Sequence, residues 1–389
     1  MHTGRLLFAQ LLDFLPFHEF GKCVDRYSGN RRTRSFSCRD QFLVMAFAQL
    51  TYRESLRDIE ACLRAFPNQL YHAGIRGKVS RSTLADANEK RPWRIWADFA
   101  MVLIAHARRL YADEKLAAHL KATAYVFDTT TIDLCLSLFP WAQFRRRKSA
   151  VKLHTLLDLR GNIPCFIHVS EGSLHEVNAL DELVIEPGAY YIMDRGFVDF
   201  ARLYRFTIGQ AFFIIRAKEN LDFRIRESRP VDHQRGLLSD QTISLRGPLS
   251  RQRYPVPLRR VSFTDKRSGK HLVFLTNNFT LAASTIAKLY KRRWQVELFF
   301  KWIKQYLRIK AFFGTTPNAV KTQVWIAVSV YVMVAILKKE LNLDPPMGEI
   351  LQVLSLSLFE KTPILLVFSR PKENVFKNED HNTLSLFDF

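Results

Sequence analysis

Between Cys38 and Phe66 the stretch CRDQFLVMAFAQLTYRESLRDIEACLRAF carries apolar residues at three- and four-residue spacing, the period of helices with a buried face. A second such stretch, VSRSTLADANEKRPWRIWADFAMVLIAHARRLY, is predicted to start with Ser80 or Ser82 as its N-cap. The segments SLRDIEACLRA and SRSTLADANEKR fit a helix-turn-helix, although the link between them is long for a tight one and an ordinary helical bundle fits equally well. From Ala122 the texture changes. ATAYVFD, AVKLHTLLDL, IPCFIHVS, AYYIMD and AFFIIRAK are short β-rich runs bounded by turn residues, with SLHEVNALDELV and VDFARLYRFTIG as helical stretches between them. Three strands followed by alternating helix and strand predict a mixed α/β sheet with helices on its faces.

A strand-rich, strongly basic segment follows at about 221–278, and then a long helix with Thr280 as candidate N-cap. Another helical region covers Pro317 to Leu341. Its apolar run, Val324 to Leu337, is shorter than the ~18 residues of a spanning helix and reads as a buried core helix. The tail from Pro371 is polar and ends in an apolar LSLFDF that could dock.

Charge narrows the class of partner. The 389 residues carry 58 Lys and Arg against 37 Asp and Glu, a formal charge of +21, which favours a polyanion and nucleic acid first. An acidic membrane surface is the weaker alternative. No signal peptide is visible, and the five scattered cysteines form no CxxC pair, so a reducing cytoplasm is expected and a zinc site is not.

Candidate chemistry sits in three places. YVFDTTT and YYIMDRGF put Asp128 and Asp194 just after β-rich runs, where acids from neighbouring strands can converge. In YKRRWQVELFFKWIKQ, read as one helix at about 100° per residue, Tyr290, Arg293, Glu297 and Lys304 fall within an arc of roughly 60°. A phenol, two cations and a carboxylate on one narrow face suit a site holding metal and phosphate. Trp294, Phe299, Phe300 and Trp302 are then expected to pack the other faces. Converging carboxylates suit Mg²⁺ or Mn²⁺, and two such ions can serve phosphodiester chemistry. Taken singly each aspartate fits a turn or cap equally well; Asp133, Asp158 and Asp199 all have such ready roles.

The spacing Tyr290-x2-Arg293-x3-Glu297-x6-Lys304 resembles the Y-R-E-K signature of bacterial insertion-sequence DDE transposases of the "insertion sequence four" group. FDTTT and MDRGF resemble that group's first and second aspartate motifs, in the expected order, and the resemblance extends over nearly the whole chain, including the closing LFDF. It implies an α/β fold: a ribonuclease-H-like catalytic core at 119–312, interrupted by the β-rich insertion at about 221–278. A helical DNA-binding domain (1–118) would precede this core and a C-terminal helical region and tail (313–389) would follow it. It also implies that Asp128, Asp194 and Glu297 are catalytic and hold two Mg²⁺ ions, with Mn²⁺ as substitute, and that Tyr290, Arg293 and Lys304 grip phosphates. The implied reaction is cut-and-paste transposition with a hairpin intermediate. The implied partners are double-stranded DNA, as terminal inverted repeats and as target, and a second copy of the chain in a paired-end complex, working in the cytoplasm on the nucleoid without a membrane. A non-catalytic DNA-binding descendant and a metal-dependent nuclease without strand transfer are the rival readings.

Two features depart from the group. Phe197 stands where tyrosine is common, and no Trp lies between Ala142 and Arg293 to hold a flipped base, which leaves that role unassigned. Further expected DNA contacts are Arg145, Arg146, Arg147 and Lys148 in FRRRK, and Arg195 beside Asp194. Arg246, Arg251, Arg253, Arg259 and Arg260 in the insertion could line a DNA-facing surface, and His154, His168 and His175 read as core or surface residues.

Overall fold

The computed structural model describes every residue except 1–3, 76, 115, 117–119, 121, 146–147, 267–268, 306–311 and 369–389. Among the described residues the chain opens with seven helices: α1 (Leu7–Leu12), α2 (Phe17–Arg26), α3 (Cys38–Leu50), α4 (Leu56–Ala65), α5 (Pro67–His72), α6 (Arg81–Lys90) and α7 (Arg94–Leu110). Local chemistry sets several starts. Ser37 and Asp40 form a reciprocal capping box at α3, and Ser55 and Ser80 accept from the third backbone N–H of α4 and α6. Ser80, one of the two expected caps, therefore begins α6. The expected helix-turn-helix is not a tight one, because α5 occupies the link between α4 and α6.

Among the described residues the sheet has ten strands: β1 (Ala124–Leu134), β2 (Gln143–Arg145), β3 (Lys148–Asp158), β4 (Ile163–Glu171), β5 (Tyr190–Met193), β6 (Phe212–Arg216), β7 (Phe223–Arg229), β8 (Leu237–Leu245), β9 (Leu258–Thr264) and β10 (His271–Thr276). Their order is β2-β3-β1-β5-β6-β10-β9-β8-β7, with β4 also on β3. β1, β5 and β6 run parallel, while β3 is antiparallel to β1 and β10 to β6. The basic segment expected as an insertion supplies β7 to β10, plus the short α9 (Pro248–Arg253), and β10 pairs with β6, so it prolongs the central sheet. Between β5 and β6 lies α8 (Phe200–Ile208), capped by Asp199 as its helix-start reading required. Within SLHEVNALDELV, expected to be helical, Glu176–Glu182 forms a 3₁₀ helix.

The expected single long helix is two. α10 (Ala283–Lys291) and α11 (Trp294–Gln305) are separated at Arg292–Arg293, where Arg292, Arg293 and Gln295 N–H groups each bond three residues back. Such tight turns rotate the second helix relative to a continuous α-helix. Trp294 is therefore 58% exposed rather than packed, whereas Phe299, Phe300 and Trp302 are buried as expected. Thr280 caps nothing: α10 starts after Ala282, and the Asn278 side chain instead accepts from the Thr280 and Leu281 N–H groups.

α12 (Pro317–Glu340) is followed by α13 (Met347–Ser357) and α14 (Ile364–Phe368). α12 is long and apolar enough by composition to cross a membrane, but 94% of that window is buried in the protein, against α3, α6 and α7. One apolar core thus runs from the first helices through α12 to one face of the sheet, with Val126, Val151 and Leu153 in it. A second core, with Phe127, Leu156 and Tyr191, covers the other face.

Candidate active site

Asp128 lies within β1 rather than after it, because that strand runs on to Leu134. Parallel pairing with β5 nevertheless stops at Phe127 and Met193, so the next residues along the two strands are Asp128 and Asp194. The sheet register thus sets both acids side by side where the parallel pairing ends. After Asp194 the chain turns through a 3₁₀ helix, Arg195–Phe197, and Phe197 is buried edge-to-face on Phe127, ring centroids 5.1 Å apart.

Around the break between α10 and α11, two side chains of the Y-R-E-K spacing reach these acids directly, and a third, Glu297, is tied in through Arg293. The Tyr290 hydroxyl donates to Asp194 Oδ1 at 3.0 Å; burial, with the Asp194 charge adding, raises its pKa, so it stays a protonated donor. Arg293 forks. One guanidinium nitrogen donates to Asp128 Oδ2 at 2.8 Å and the other to Glu297 Oε1. Lys304, two turns further along α11, donates to the Thr131 carbonyl of β1 at 2.7 Å. Asp128 Oδ1 accepts the Thr129 N–H at 2.8 Å. Burial first, then the Asp194 and Glu297 charges, outweigh these donors and push the Asp128 carboxyl up to about 6.

The donor set fits a hard divalent cation. It is three carboxylates with no sulfur or imidazole, and their mutual repulsion at Asp128 is what a cation relieves. Among the described residues no three such groups yet form a closed cluster; the guanidinium of Arg293 joins Asp128 to Glu297 instead.

The remaining expected site residues are more dispersed. Arg195 is half-exposed and 3.4 Å from the exposed Glu219. Lys148 is exposed at the start of β3, and the backbone of Arg145 belongs to β2; Arg146 and Arg147 lie outside the described residues. Arg259, expected on a DNA-facing surface, is buried: it pairs with Asp240 at 2.6 Å and donates to the Asn278 and Leu281 carbonyls. Arg260 is half-buried over the Phe223 ring. His154 is fully buried between the Thr129 and Ser170 hydroxyls, as the core reading held. The sequence pattern carried no sign of Thr131 as the Lys304 partner, since that contact is with a backbone carbonyl.

The chain is a DNA-cleaving and strand-transfer enzyme of the DDE transposase class, as comparison with known proteins shows. A family model described as "Transposase DDE domain" matches residues 119–333, and one described as "Domain of unknown function (DUF4372)" matches residues 3–76. The first covers more than half the chain, and the chain belongs to that family: it is a DNA transposase of insertion-sequence type. "Putative transposase y4zB" of Sinorhizobium fredii is 29% identical over 295 residues, 75% of this chain and 81% of that protein. "Probable transposase for insertion sequence element IS5377" of Geobacillus stearothermophilus is 28% identical over 269 residues, 68% of this chain and 70% of the relative. Among solved structures, a cryo-EM piggyBac transposase synaptic complex with hairpin DNA aligns with a TM-score of 0.44 at 12% identity, over 91% of this chain and 78% of that one. Transposases of this family use divalent metal ions.

Proposed function

We propose that Asp128, Asp194 and Glu297 are the catalytic metal ligands of a cut-and-paste transposase, and that Tyr290, Arg293 and Lys304 hold DNA phosphates beside them. The observation that carries this reading is the convergence itself: Asp128 and Asp194 adjoin in register, and Arg293 ties Asp128 to Glu297 across more than a hundred and sixty residues of chain. The strand order β4-β3-β1-β5-β6, antiparallel then parallel, supports a ribonuclease-H-like core at 119–312. Residues 1–118 would be the helical DNA-binding domain and 313–389 the C-terminal region. The surplus of 21 positive charges supports double-stranded DNA as the partner, as terminal inverted repeats and as target. A homodimer follows from the need to process two ends together, and the site of action is the cytoplasm, on nucleoid DNA.

Bound divalent ions, Mg²⁺ or Mn²⁺, would neutralise phosphate charge and activate the attacking oxygen. The chain's own residues do the rest. Arg293, released from the carboxylates, turns its two-pronged donor face to a phosphate. Lys304 and the exposed Arg195 and Lys148, with Arg145, Arg146 and Arg147, would track the backbone. Tyr290, whose hydroxyl donates to Asp194 in the structure, would turn that donor to a phosphate when DNA is bound. Water attacks the phosphodiester at the end and the 3′-oxygen leaves as a 3′-OH. That hydroxyl attacks the opposite strand's phosphodiester, displacing the flanking strand's 3′-OH and closing a hairpin. A second water reopens the hairpin, and the regenerated 3′-OH joins target by displacing a target 3′-OH.

Glu297→Gln tests the assignment. It should abolish strand cleavage while end binding persists; cleavage retained by the variant would remove Glu297 from the catalytic set.

A further inference from the structure

We propose that Thr155 is a positioning residue for Asp128, holding the carboxylate by a hydrogen bond once Arg293 has withdrawn from it. The inference rests on the reading that Asp128 is a metal ligand. The antiparallel register of β1 and β3 sets Thr155 directly opposite Asp128, on the same face of the sheet. Thr155 is fully buried there, and its Oγ1 has no hydrogen-bond partner among the described residues. The neighbouring pair one step along, Thr129 and His154, faces the other side of the sheet and is satisfied at 2.8 Å.

An unpartnered buried hydroxyl is unfavourable, and valine would fill the same volume without it. The hydroxyl is therefore best explained by an arrangement of the site in which it does have a partner. Asp128 supplies one. Its Oδ1 takes the Thr129 N–H and its Oδ2 takes Arg293 in the present arrangement. When the guanidinium turns to phosphate, Oδ2 loses its donor. A side-chain rotation would then let the cross-strand hydroxyl replace it from within the sheet, leaving the outward lone pairs to the cation. Partners of this kind orient metal ligands and shape affinity although they never touch the ion.

The test is Mn²⁺ binding by the full chain, followed by electron paramagnetic resonance, for wild type, Thr155→Val, Thr155→Ser and Asp128→Asn. Thr155→Val should weaken Mn²⁺ binding by about tenfold, and Thr155→Ser should restore most of that loss. Thermal unfolding should show Thr155→Val at least as stable as wild type, since it removes a buried unpaired hydroxyl. Wild-type affinity in Thr155→Val overturns the proposal and leaves the metal reading standing. Equal weakening in Thr155→Val and Thr155→Ser also overturns it, because the hydroxyl would then not be the cause. Mn²⁺ binding that Asp128→Asn leaves unchanged overturns the metal reading and the proposal together.

Discussion

Replacing Arg293 with glutamine should tighten divalent-metal binding in the DNA-free protein, the opposite of what loss of a ligand-assisting residue would do. The side chains of Arg293 and Asp128 are 19% and 17% exposed, so their pair is nearly buried; Glu297, at 34%, is screened by solvent and adds less. Breaking a buried pair by removing one partner costs about 3–5 kcal/mol when the other charge is left stranded. Asp128 need not be stranded, because burial and its acidic neighbours already raise its pKa to about 6 and it can take up a proton. A cost of about 2 kcal/mol near neutral pH is therefore expected. A cation competing for Asp128 and Glu297 must displace the same guanidinium, so its dissociation constant carries a similar penalty, roughly thirtyfold. Calorimetric titration with Mn²⁺ reads this directly. Arg293→Gln should bind Mn²⁺ about ten- to thirtyfold more tightly without DNA, and DNA should promote metal binding less than in wild type, because the part of the coupling that runs through displacement of the guanidinium is gone. Unchanged or weaker Mn²⁺ binding in the variant would refute the reasoning.

Other expectations follow from the same contacts. His154 is held neutral, burial first and then His168 and Lys152 lowering its pKa to about 3, while the unfolded chain binds that proton below about 6.5. Its contribution is thus intact above pH 6.5 and is lost as pH falls toward 3, so urea unfolding of His154→Gln should show a shallower loss of stability below pH 6 than wild type; parallel curves would count against it. Arg259→Met leaves Asp240 buried without its closest cation, and should cost about 3 kcal/mol in urea unfolding while leaving the salt dependence of DNA binding untouched. A changed salt slope would return Arg259 to the DNA surface. Lys304→Ala should weaken binding to the element's ends and lower the salt slope by about one phosphate's worth, as read by fluorescence anisotropy across salt concentrations; an unchanged slope argues against a phosphate contact.

The three proposed ligands could be picked out as candidates because short-range signals mark them: a polar residue ending each apolar run in YVFD and YYIMD, and a fixed spacing around Glu297. The strands carrying the aspartates were legible for the same reason. Their adjacency was not, since it depends on β1–β5 pairing across some sixty residues. The break at Arg292–Arg293 escaped the helical period because Tyr, Lys, Arg and Trp all tolerate helix; the interruption is marked only by the tightened hydrogen bonds, and it carries Trp294 outward. Arg259 looked like surface charge because its partner, Asp240, lies on another strand. The continuity of the basic segment with the main sheet likewise rests on a single pairing, β10 with β6, that local pattern does not encode.

The central claim is that one acidic site cuts and joins DNA. Its most direct test is a labelled duplex carrying the element's own end, incubated with target DNA and full-length protein, with Mg²⁺ and with EDTA, for wild type and Asp194→Asn. Cleaved and joined products that require Mg²⁺ and vanish in Asp194→Asn are the predicted result. Joined products that persist in Asp194→Asn, or end binding by folded wild type without any cut strand, would contradict it.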